Sequence, residues 1–154
     1  MPAHAPVKPL SGLELAAWRG FLQAHAGLVR ELDAELEREH GLPLTSYDVL
    51  VVLEGAPGHR LRMSDLAASV LLSLSGVTRL VDRLEGQGLV RRERCEDDRR
   101  GFWCELSPQG VERLHAARPT HHAGVRARFL EAFTEAELGE LAELWKRVAP
   151  GARA

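Results

Sequence analysis

The sequence is short of the residue types that would mark a secreted or a membrane protein. Only two cysteines occur among its 154 residues, too few for the disulfide framework of a small secreted domain. No apolar run approaches the roughly 20 residues that a membrane span needs, and the opening MPAHAPVKPL has no apolar segment of a signal peptide. We therefore expect a reduced, cytoplasmic protein with no membrane partner.

Patterns of catalytic and metal-binding residues are also lacking. We find no nucleophile beside a base, no phosphate-binding glycine loop and no catalytic carboxylate pair, so an enzyme is not expected. Of the seven histidines, His121 and His122 are adjacent and would point to different faces of a helix, and His115 stands six residues earlier. These spacings do not match a metal site, and we expect exposed histidines, no metal and no other cofactor.

An excess of basic residues is absent from the chain as a whole, because its net charge is −2 at pH 7. The charge is unevenly distributed, however. Residues 60–104 contain nine arginines, no lysine and seven acidic residues, whereas residues 1–59 are acidic overall. Arginine offers planar, multidentate donors that suit phosphates and base edges. The excess is small, so the placement of these arginines matters more than their sum.

The spacing of apolar residues predicts a mostly α-helical protein of the α+β class, folded as one domain. Residues 10–40 repeat apolar side chains at helical spacing, and Gly41 is expected to end this first helix. Thr45 and Asp48 resemble a capping box at the start of a short buried helix. Further along, Ser64 is expected to cap a helix of about two turns.

The stretch GVTRLVDRLEGQG predicts a helix with a polar face, which either Ser73 or Ser75 can cap. Arg79 and Arg83 lie one turn apart on that face, beside Thr78. Small residues at the start of the helix would allow close approach to a phosphate backbone, which the helix dipole favours. The apolar stripe on the other face consists of Val77, Leu80, Val81 and Leu84.

Two strand-like runs, LVRRERC and FWCELS, flank the charged stretch EDDRRG and predict a β-hairpin with a long tip. HRLRM, earlier in the chain, is compatible with a short strand. Ser107 followed by Pro108 predicts the start of a long helix. Pro119 falls inside that helix and is expected to kink or split it.

The order helix, helix, strand, helix, helix, hairpin is that of a winged helix-turn-helix, whose second paired helix lies in the major groove of DNA. The stretches SDLA, SGVTRLVDRLEGQGLVRR and DRRGFWCELSPQG resemble the MarR (multiple antibiotic resistance regulator) family of bacterial transcription factors. The last stretch follows the family's wing pattern of Asp-x-Arg, five residues, Leu-Ser/Thr, two residues and Gly. The matching positions are Asp98, Arg100, Leu106, Ser107 and Gly110.

The resemblance implies a sequence-specific transcriptional regulator that binds a pseudo-palindromic site in double-stranded DNA as a homodimer, with ligand-responsive repression as the commonest mode. Within the single domain, residues 44–107 would form the winged helix-turn-helix DNA-binding lobe, whereas residues 10–40 and 108–150 would form the dimerisation helices.

Specific DNA contacts are also implied by the resemblance. The helix after Ser73 would be the recognition helix. One of Arg99 and Arg100 would enter the minor groove, while Asp98 would hold the other by an ion pair; their order is left open. The implied DNA-binding residues are Ser73, Ser75, Gly76, Thr78, Arg79, Arg83, Arg99 and Arg100.

Three positions depart from the family pattern. Leu74 stands where a basic or polar residue is common, Leu71 replaces a frequent turn glycine, and Pro119 interrupts a dimerisation helix. Leu74 and the low net charge support an alternative, a winged helix used for dimerisation or protein interaction without DNA binding. The competing interpretation of the polar helix face that contains Arg79 and Arg83 is a solvated surface, on which Asp82 forms an ion pair with one of these arginines.

The two cysteines raise a further alternative, a redox sensor. Cys104 shares a strand face with apolar neighbours and is expected to be buried and inert, whereas Cys95 is expected at an exposed wing base. The acidic residues that follow Cys95 disfavour a thiolate. The hairpin register is expected to place Cys104 nearer residue 93 than residue 95, which disfavours a disulfide between the two cysteines.

Family members bind small, often phenolic or anionic effectors between the DNA-binding lobe and the dimerisation helices. A small aromatic or anionic effector is therefore a candidate partner here. The candidate pocket residues are Trp18, Tyr47, Asp48 and His59. The competing interpretation is that Trp18 and Tyr47 belong to the core and that Asp48 only caps its helix.

Overall fold

A computed structural model describes residues 8–70, 72–96 and 101–148. The fold is mostly helical with a small antiparallel sheet, which confirms the expected class and the winged helix-turn-helix architecture. Two short 3₁₀ turns, Pro57–His59 and Leu130–Ala132, supplement the main elements. These are α1 (Gly12–His40), α2 (Leu44–Gly55), β1 (Arg60–Arg62), α3 (Met63–Ser69), α4 (Leu74–Gly86), β2 (Val90–Arg94), β3 (Phe102–Leu106), α5 (Pro108–Arg128) and α6 (Glu135–Val148).

The first helix begins and ends as local sequence chemistry dictates. Ser11 and Glu14 form a reciprocal capping box at the start of α1, in which the Glu14 amide donates to the Ser11 hydroxyl at 3.2 Å. Gly41 ends the helix in the left-handed conformation, with φ of 57°, as predicted. A second capping box, between Thr134 and Glu137, starts α6.

Two predicted caps are wrong. The box between Thr45 and Asp48 does not form, because α2 already begins at Leu44 and has no side-chain cap of its own. The Leu44 amide instead donates to the Asp33 carboxylate of α1 at 2.7 Å, a tertiary contact that a local pattern cannot show. Ser64 lies inside α3, which begins at Met63 without a side-chain cap.

Helix α5 passes through Pro119 without being split. Ser107 caps it, and Pro108 takes its first position, as predicted. Pro119 lies on the exposed side of the helix, where solvent can hydrate a carbonyl that loses its intrahelical partner. Of the two predicted effects of Pro119, the split is therefore wrong, and α5 runs as one element to Arg128.

The sheet has three strands in the order β1–β3–β2, all antiparallel. The predicted hairpin of β2 and β3 is confirmed, and the HRLRM segment supplies β1 on its other side. Cys104 at the centre of β3 faces Leu61 on β1 and Arg92 on β2. One sheet face therefore packs inwards through Leu61 and Cys104, while the alternate residues form an outer face.

The core joins the sheet, the helix pair α3–α4 and the long helices. Helix α1 packs along α5, and α2 contacts both of them as well as the sheet. The buried side chains form one cluster that extends from Leu36 of α1 to Leu114 of α5. The position of α4 is set by this cluster, through Val77, Leu80, Val81 and Leu84, all nearly inaccessible to solvent.

In residues 8–70, 72–96 and 101–148 no single helix is long and apolar enough to cross a membrane. Helices α3 and α4 reach that length and composition only when they are added together, across a bend of 104°.

Candidate nucleic-acid interface

The start of α4 is organised by Ser73. The Ser73 hydroxyl accepts a hydrogen bond from the Gly76 amide at 3.1 Å, which resolves the choice between Ser73 and Ser75 as the cap. The Ser75 hydroxyl lies 3.2 Å from that of Ser73. A Cβ atom on Gly76 would lie 3.1 Å from the Ser73 hydroxyl, a tight contact that favours glycine beside the cap.

The polar face of α4 is directed to solvent, opposite the buried stripe. Ser75, Arg79 and Arg83 are exposed, whereas Thr78 is half-buried. The Thr78 hydroxyl donates to the Leu74 carbonyl at 2.8 Å. Arg79 and Arg83 border a shallow surface concavity of about 500 Å³ together with Gly76. Five of the eight candidate DNA-binding residues therefore lie together on one face of α4, with Ser73 at its start.

Asp82 does not pair with the arginines of its own helix. Its carboxylate lies 2.7 Å from the Arg92 guanidinium on β2. In the described residues, Arg79 and Arg83 have no carboxylate within the 4.0 Å of an ion pair. The interpretation that Asp82 neutralises one of them is therefore wrong, and both guanidinium groups are available to an anionic partner.

Glu85 completes the link between α4 and the wing. Its carboxylate accepts hydrogen bonds from the Arg92 amide and from the Arg92 side chain, both at 3.0 Å. The bond from the backbone amide is the largest of the causes that lower the pKa of Glu85. Strand β2 is thus attached to α4 by main-chain and side-chain contacts of one arginine.

The base of the wing explains two positions of the family pattern. The Ser107 hydroxyl donates to the Gly88 carbonyl at 2.6 Å and accepts from the Gly110 amide at 2.9 Å. A Cβ atom on Gly110 would lie 2.1 Å from the Leu89 carbonyl oxygen, so only glycine fits there. The hydrogen bonds of Ser107 and the close backbone approach at Gly110 therefore fix the start of α5 against the turn that precedes β2. The wing residues Asp98, Arg99 and Arg100 lie outside the described residues.

The outer face of the sheet presents a cluster that the sequence analysis missed. The guanidinium carbons of Arg60 and Arg62 lie 4.8 Å and 5.3 Å from the ring centroid of Trp103. The alternation of Arg60 and Arg62 in RLR was a usable signal, since residues two apart share a strand face. The pairing of β1 with β3, which brings both arginines to Trp103, could not be predicted from the sequence.

Both cysteines are buried and free. Burial raises the pKa of the Cys104 thiol to about 12, which makes its thiolate inaccessible at neutral pH. Cys95, expected to be exposed, is only 5% accessible, and its amide donates to the Gly101 carbonyl at 3.0 Å. The register pairs Cys104 with Arg92, which confirms that Cys104 lies nearer residue 93 than residue 95. The structure gives a redox-sensor function no support.

The structure places the four candidate effector residues in different environments. Trp18 is 53% exposed and lies against α6, whereas Tyr47 is buried. Asp48 is exposed and does not cap α2. His59 is also exposed, and its ring is 2.9 Å from the Glu54 carbonyl oxygen. The interpretation that both aromatic residues belong to the core is therefore confirmed for Tyr47 and wrong for Trp18.

A polar cluster joins α2 to α5 instead. The ring of His121 lies 4.5 Å from that of Tyr47, and its Nδ1 atom is buried without a hydrogen-bond partner among the described residues. His121 is thus half-buried rather than exposed as expected. The Glu54 carboxylate contacts His115 and Arg118, and these hydrogen bonds, that of His115 first, lower the pKa of Glu54.

A second surface is apolar and lies on α1 and α6. Trp18, Phe21, Leu144, Trp145 and Val148 are each more than 40% exposed and border a concavity of about 880 Å³. Here we call this the α1–α6 surface. Such a contiguous apolar patch is typical of a protein-interaction site. Elsewhere, residues 8–70, 72–96 and 101–148 contain no group of three His, Cys, Asp or Glu side chains that could hold a metal ion.

Comparison with known proteins identifies the family. A sequence profile of the MarR family matches residues 40–101. The structure of Sco3205, a MarR family transcriptional regulator from Streptomyces coelicolor solved in complex with DNA, is 34% identical, with a TM-score of 0.90 over 98% of this chain and 94% of that one. The chain belongs to the MarR family of transcriptional regulators. Like them, this family member is not an enzyme.

Other relatives agree with this membership. AbsC from Streptomyces coelicolor, also a MarR family transcriptional regulator, is 36% identical, with a TM-score of 0.86 over 93% of this chain and 96% of that one. The transcriptional repressor MprA of Escherichia coli strain K12 is 29% identical over 85 residues, 55% of this chain. This MarR-family chain aligns with only 48% of the length of MprA.

Proposed function

We propose that this MarR-family protein is a cytoplasmic transcriptional repressor that binds a pseudo-palindromic site in double-stranded DNA as a homodimer. The observation that supports DNA binding most directly is the exposed pair Arg79 and Arg83 on α4, with Asp82 engaged by Arg92. In a winged helix-turn-helix this face lies in the major groove. Sco3205, which is 34% identical to this chain and was solved in complex with DNA, supports DNA binding.

The α1–α6 surface supports the proposed homodimer. Exposed Trp18 and Trp145 are costly in water, and a second copy of the same surface would bury both. Residues 10–40 and 108–150 would then form the dimer, and residues 44–107 the DNA-binding lobe. Two recognition helices related by a twofold axis would contact half-sites about one helical turn apart.

In this proposal, the bound dimer represses transcription because it occludes a promoter. The relatives named as repressors, such as MprA, support this direction of regulation. A small aromatic or anionic effector would release the DNA by changing the separation of the two recognition helices. The support for an effector is family membership. A ligand screen against the protein–DNA complex tests it, and no change in affinity with any aromatic anion would contradict it.

A salt-titrated gel shift with the protein's own promoter region tests DNA binding. Because each phosphate contact releases counterions, the affinity should fall steeply with salt. Arg79→Ala and Arg83→Ala should each weaken binding and reduce the salt slope by about one. Arg38→Ala, an exposed arginine of α1, is the matched control and should leave both unchanged.

The alternative, a winged helix that mediates protein interactions only, predicts the opposite result. It is supported by the exposed Leu74 and by the net charge of −2. A folded dimer without specific, salt-dependent binding would establish it. The wing is tested separately with Arg99→Ala and Arg100→Ala, which should weaken binding while the dimer persists. Unchanged affinity in both variants would remove the wing from the proposal.

A further inference from the structure

The first residue of the recognition helix is an unexplained apolar side chain. Leu74 is 58% exposed, whereas the other leucines of α4, Leu80 and Leu84, are at most 2% exposed. A single exposed leucine is ordinary on a protein surface. Leu74, however, stands at the helix end that the proposed function directs towards base edges.

The hydroxyl groups around Leu74 make hydrogen bonds within the start of α4. The Ser73 hydroxyl accepts from the Gly76 amide and lies 3.2 Å from the Ser75 hydroxyl. The Thr78 hydroxyl donates its hydrogen to the Leu74 carbonyl. The start of α4 therefore exposes one large apolar side chain, the isobutyl group of Leu74, beside these hydroxyl groups.

Leu74 also borders a cleft between α4 and the strands of the wing. The cleft has a volume of about 380 Å³, and its apolar wall includes Met63 and Phe102 beside Leu74. Arg62 contributes a positive charge to the same cleft, and Arg79 and Arg83 lie on the neighbouring face of α4. An apolar surface surrounded by cationic side chains is complementary to a groove of DNA, where negatively charged phosphates flank the base edges.

Thymine is the base whose major-groove edge carries a methyl group, which apolar side chains contact. We propose that Leu74 is a specificity-determining residue that packs against the 5-methyl group of one thymine in each half of the DNA site. This inference rests on the proposed DNA-binding function and adds a base preference to it. In this proposal, the protein recognises that thymine through an apolar contact of Leu74 and not through a hydrogen bond.

Single-methyl substitution in the DNA tests the contact. After a site is selected from random duplexes, each thymine of one half-site is replaced in turn by deoxyuridine, which lacks only the 5-methyl group. With the unsubstituted protein, one replacement should weaken binding about fourfold, the value expected for burial of one methyl-sized group. With Leu74→Ala the two DNAs should bind equally, and Leu74→Met should keep the discrimination. Val51→Ala, another exposed apolar side chain, is the control.

The outcomes separate this inference from the proposed function. Specific binding in which no thymine-to-deoxyuridine replacement weakens the complex overturns the role of Leu74 and leaves DNA binding intact. An undiminished thymine preference in a folded Leu74→Ala dimer overturns it as well. Absence of specific binding to any selected duplex overturns the proposed function itself. Circular dichroism and the oligomeric state establish that each variant is folded.

Discussion

Arg92 on β2 contacts Asp82 on α4, with 2.7 Å between the guanidinium nitrogen and the carboxylate oxygen. The same guanidinium lies 2.9 Å from Glu85. This contact fixes the first wing strand to the recognition helix. It also neutralises the acidic side chain that lies between Arg79 and Arg83 in the sequence, so the exposed face of α4 presents net positive charge.

Arg92→Ala should therefore weaken DNA binding about tenfold, because Asp82 would face the phosphates unpaired. Adding Asp82→Asn to that variant should restore part of the affinity, since the neutral amide repels no phosphate while Glu85 stays without the Arg92 guanidinium. Fluorescence anisotropy at fixed salt measures both. Arg91→Ala removes an arginine of the outer sheet face and is the control. Equal losses in the single and the double variant would show that Asp82 has no electrostatic role.

Gly110→Ala should destabilise the fold. The added Cβ would lie 2.1 Å from the Leu89 carbonyl oxygen, which can move only with the backbone before β2. We expect the free energy of unfolding to fall by about 2–3 kcal/mol, as for other overpacked sites. Urea denaturation measures this change. Gly55→Ala, with no neighbouring atom within 4 Å, should be nearly neutral, and equal losses in both variants would contradict the steric explanation.

Trp145→Ala should weaken the proposed dimer. The Trp145 ring packs 5.5 Å from that of Phe21, and both are exposed in one chain. A buried tryptophan at an interface contributes roughly 2 kcal/mol or more, so the dissociation constant should rise at least thirtyfold. Sedimentation over a concentration series measures it. Val51→Ala is the control, and an unchanged dissociation constant for Trp145→Ala would place the dimer contact elsewhere.

Stability should decrease at mildly acidic pH because of His121. Burial lowers the pKa of this histidine, with a smaller contribution from His122. A base with a lowered pKa in the folded state binds its proton more readily when the chain unfolds. The free energy of unfolding is therefore undiminished above the pKa of His121 in the unfolded chain, which is near 6.5. Below that pH it decreases by at most about 1.4 kcal/mol per pH unit, until the pH passes the pKa of His121 in the folded protein.

His121→Phe should flatten this decrease, as measured by denaturation between pH 7.5 and about 5. The phenyl ring keeps the aromatic contact with Tyr47 and removes the titrating group. His25→Gln, an exposed histidine of α1, is the control and should keep the wild-type slope. A slope that persists in His121→Phe would assign the effect to other groups.

Local patterns predicted many elements because their causes are local. The cap at Ser107 and the end at Gly41 depend on residues within one turn, and both form as expected. The cap at Thr45 failed because the Leu44 amide finds Asp33, eleven residues earlier, on another helix. A pattern that spans four residues contains no information about such a partner.

The same distinction applies to the candidate interface. Helical spacing placed Arg79 and Arg83 on one face and Val77 and Leu80 on the other, since a helix repeats every 3.6 residues. The partner of Asp82 could not be predicted, because β2 reaches α4 only after the chain has turned at Gly88. The cluster around Trp103 was missed for the same reason.

By itself, the sequence determined the order of the elements, the two faces of the recognition helix and the family, because periodicity, caps and motif spacing are properties of neighbouring residues. Tertiary structure alone decided which charges are paired, why Gly110 cannot be larger, that Cys95 is buried, and that Leu74 remains exposed. Each of these depends on the distance between elements, which is set by packing around the common core and not by separation along the chain.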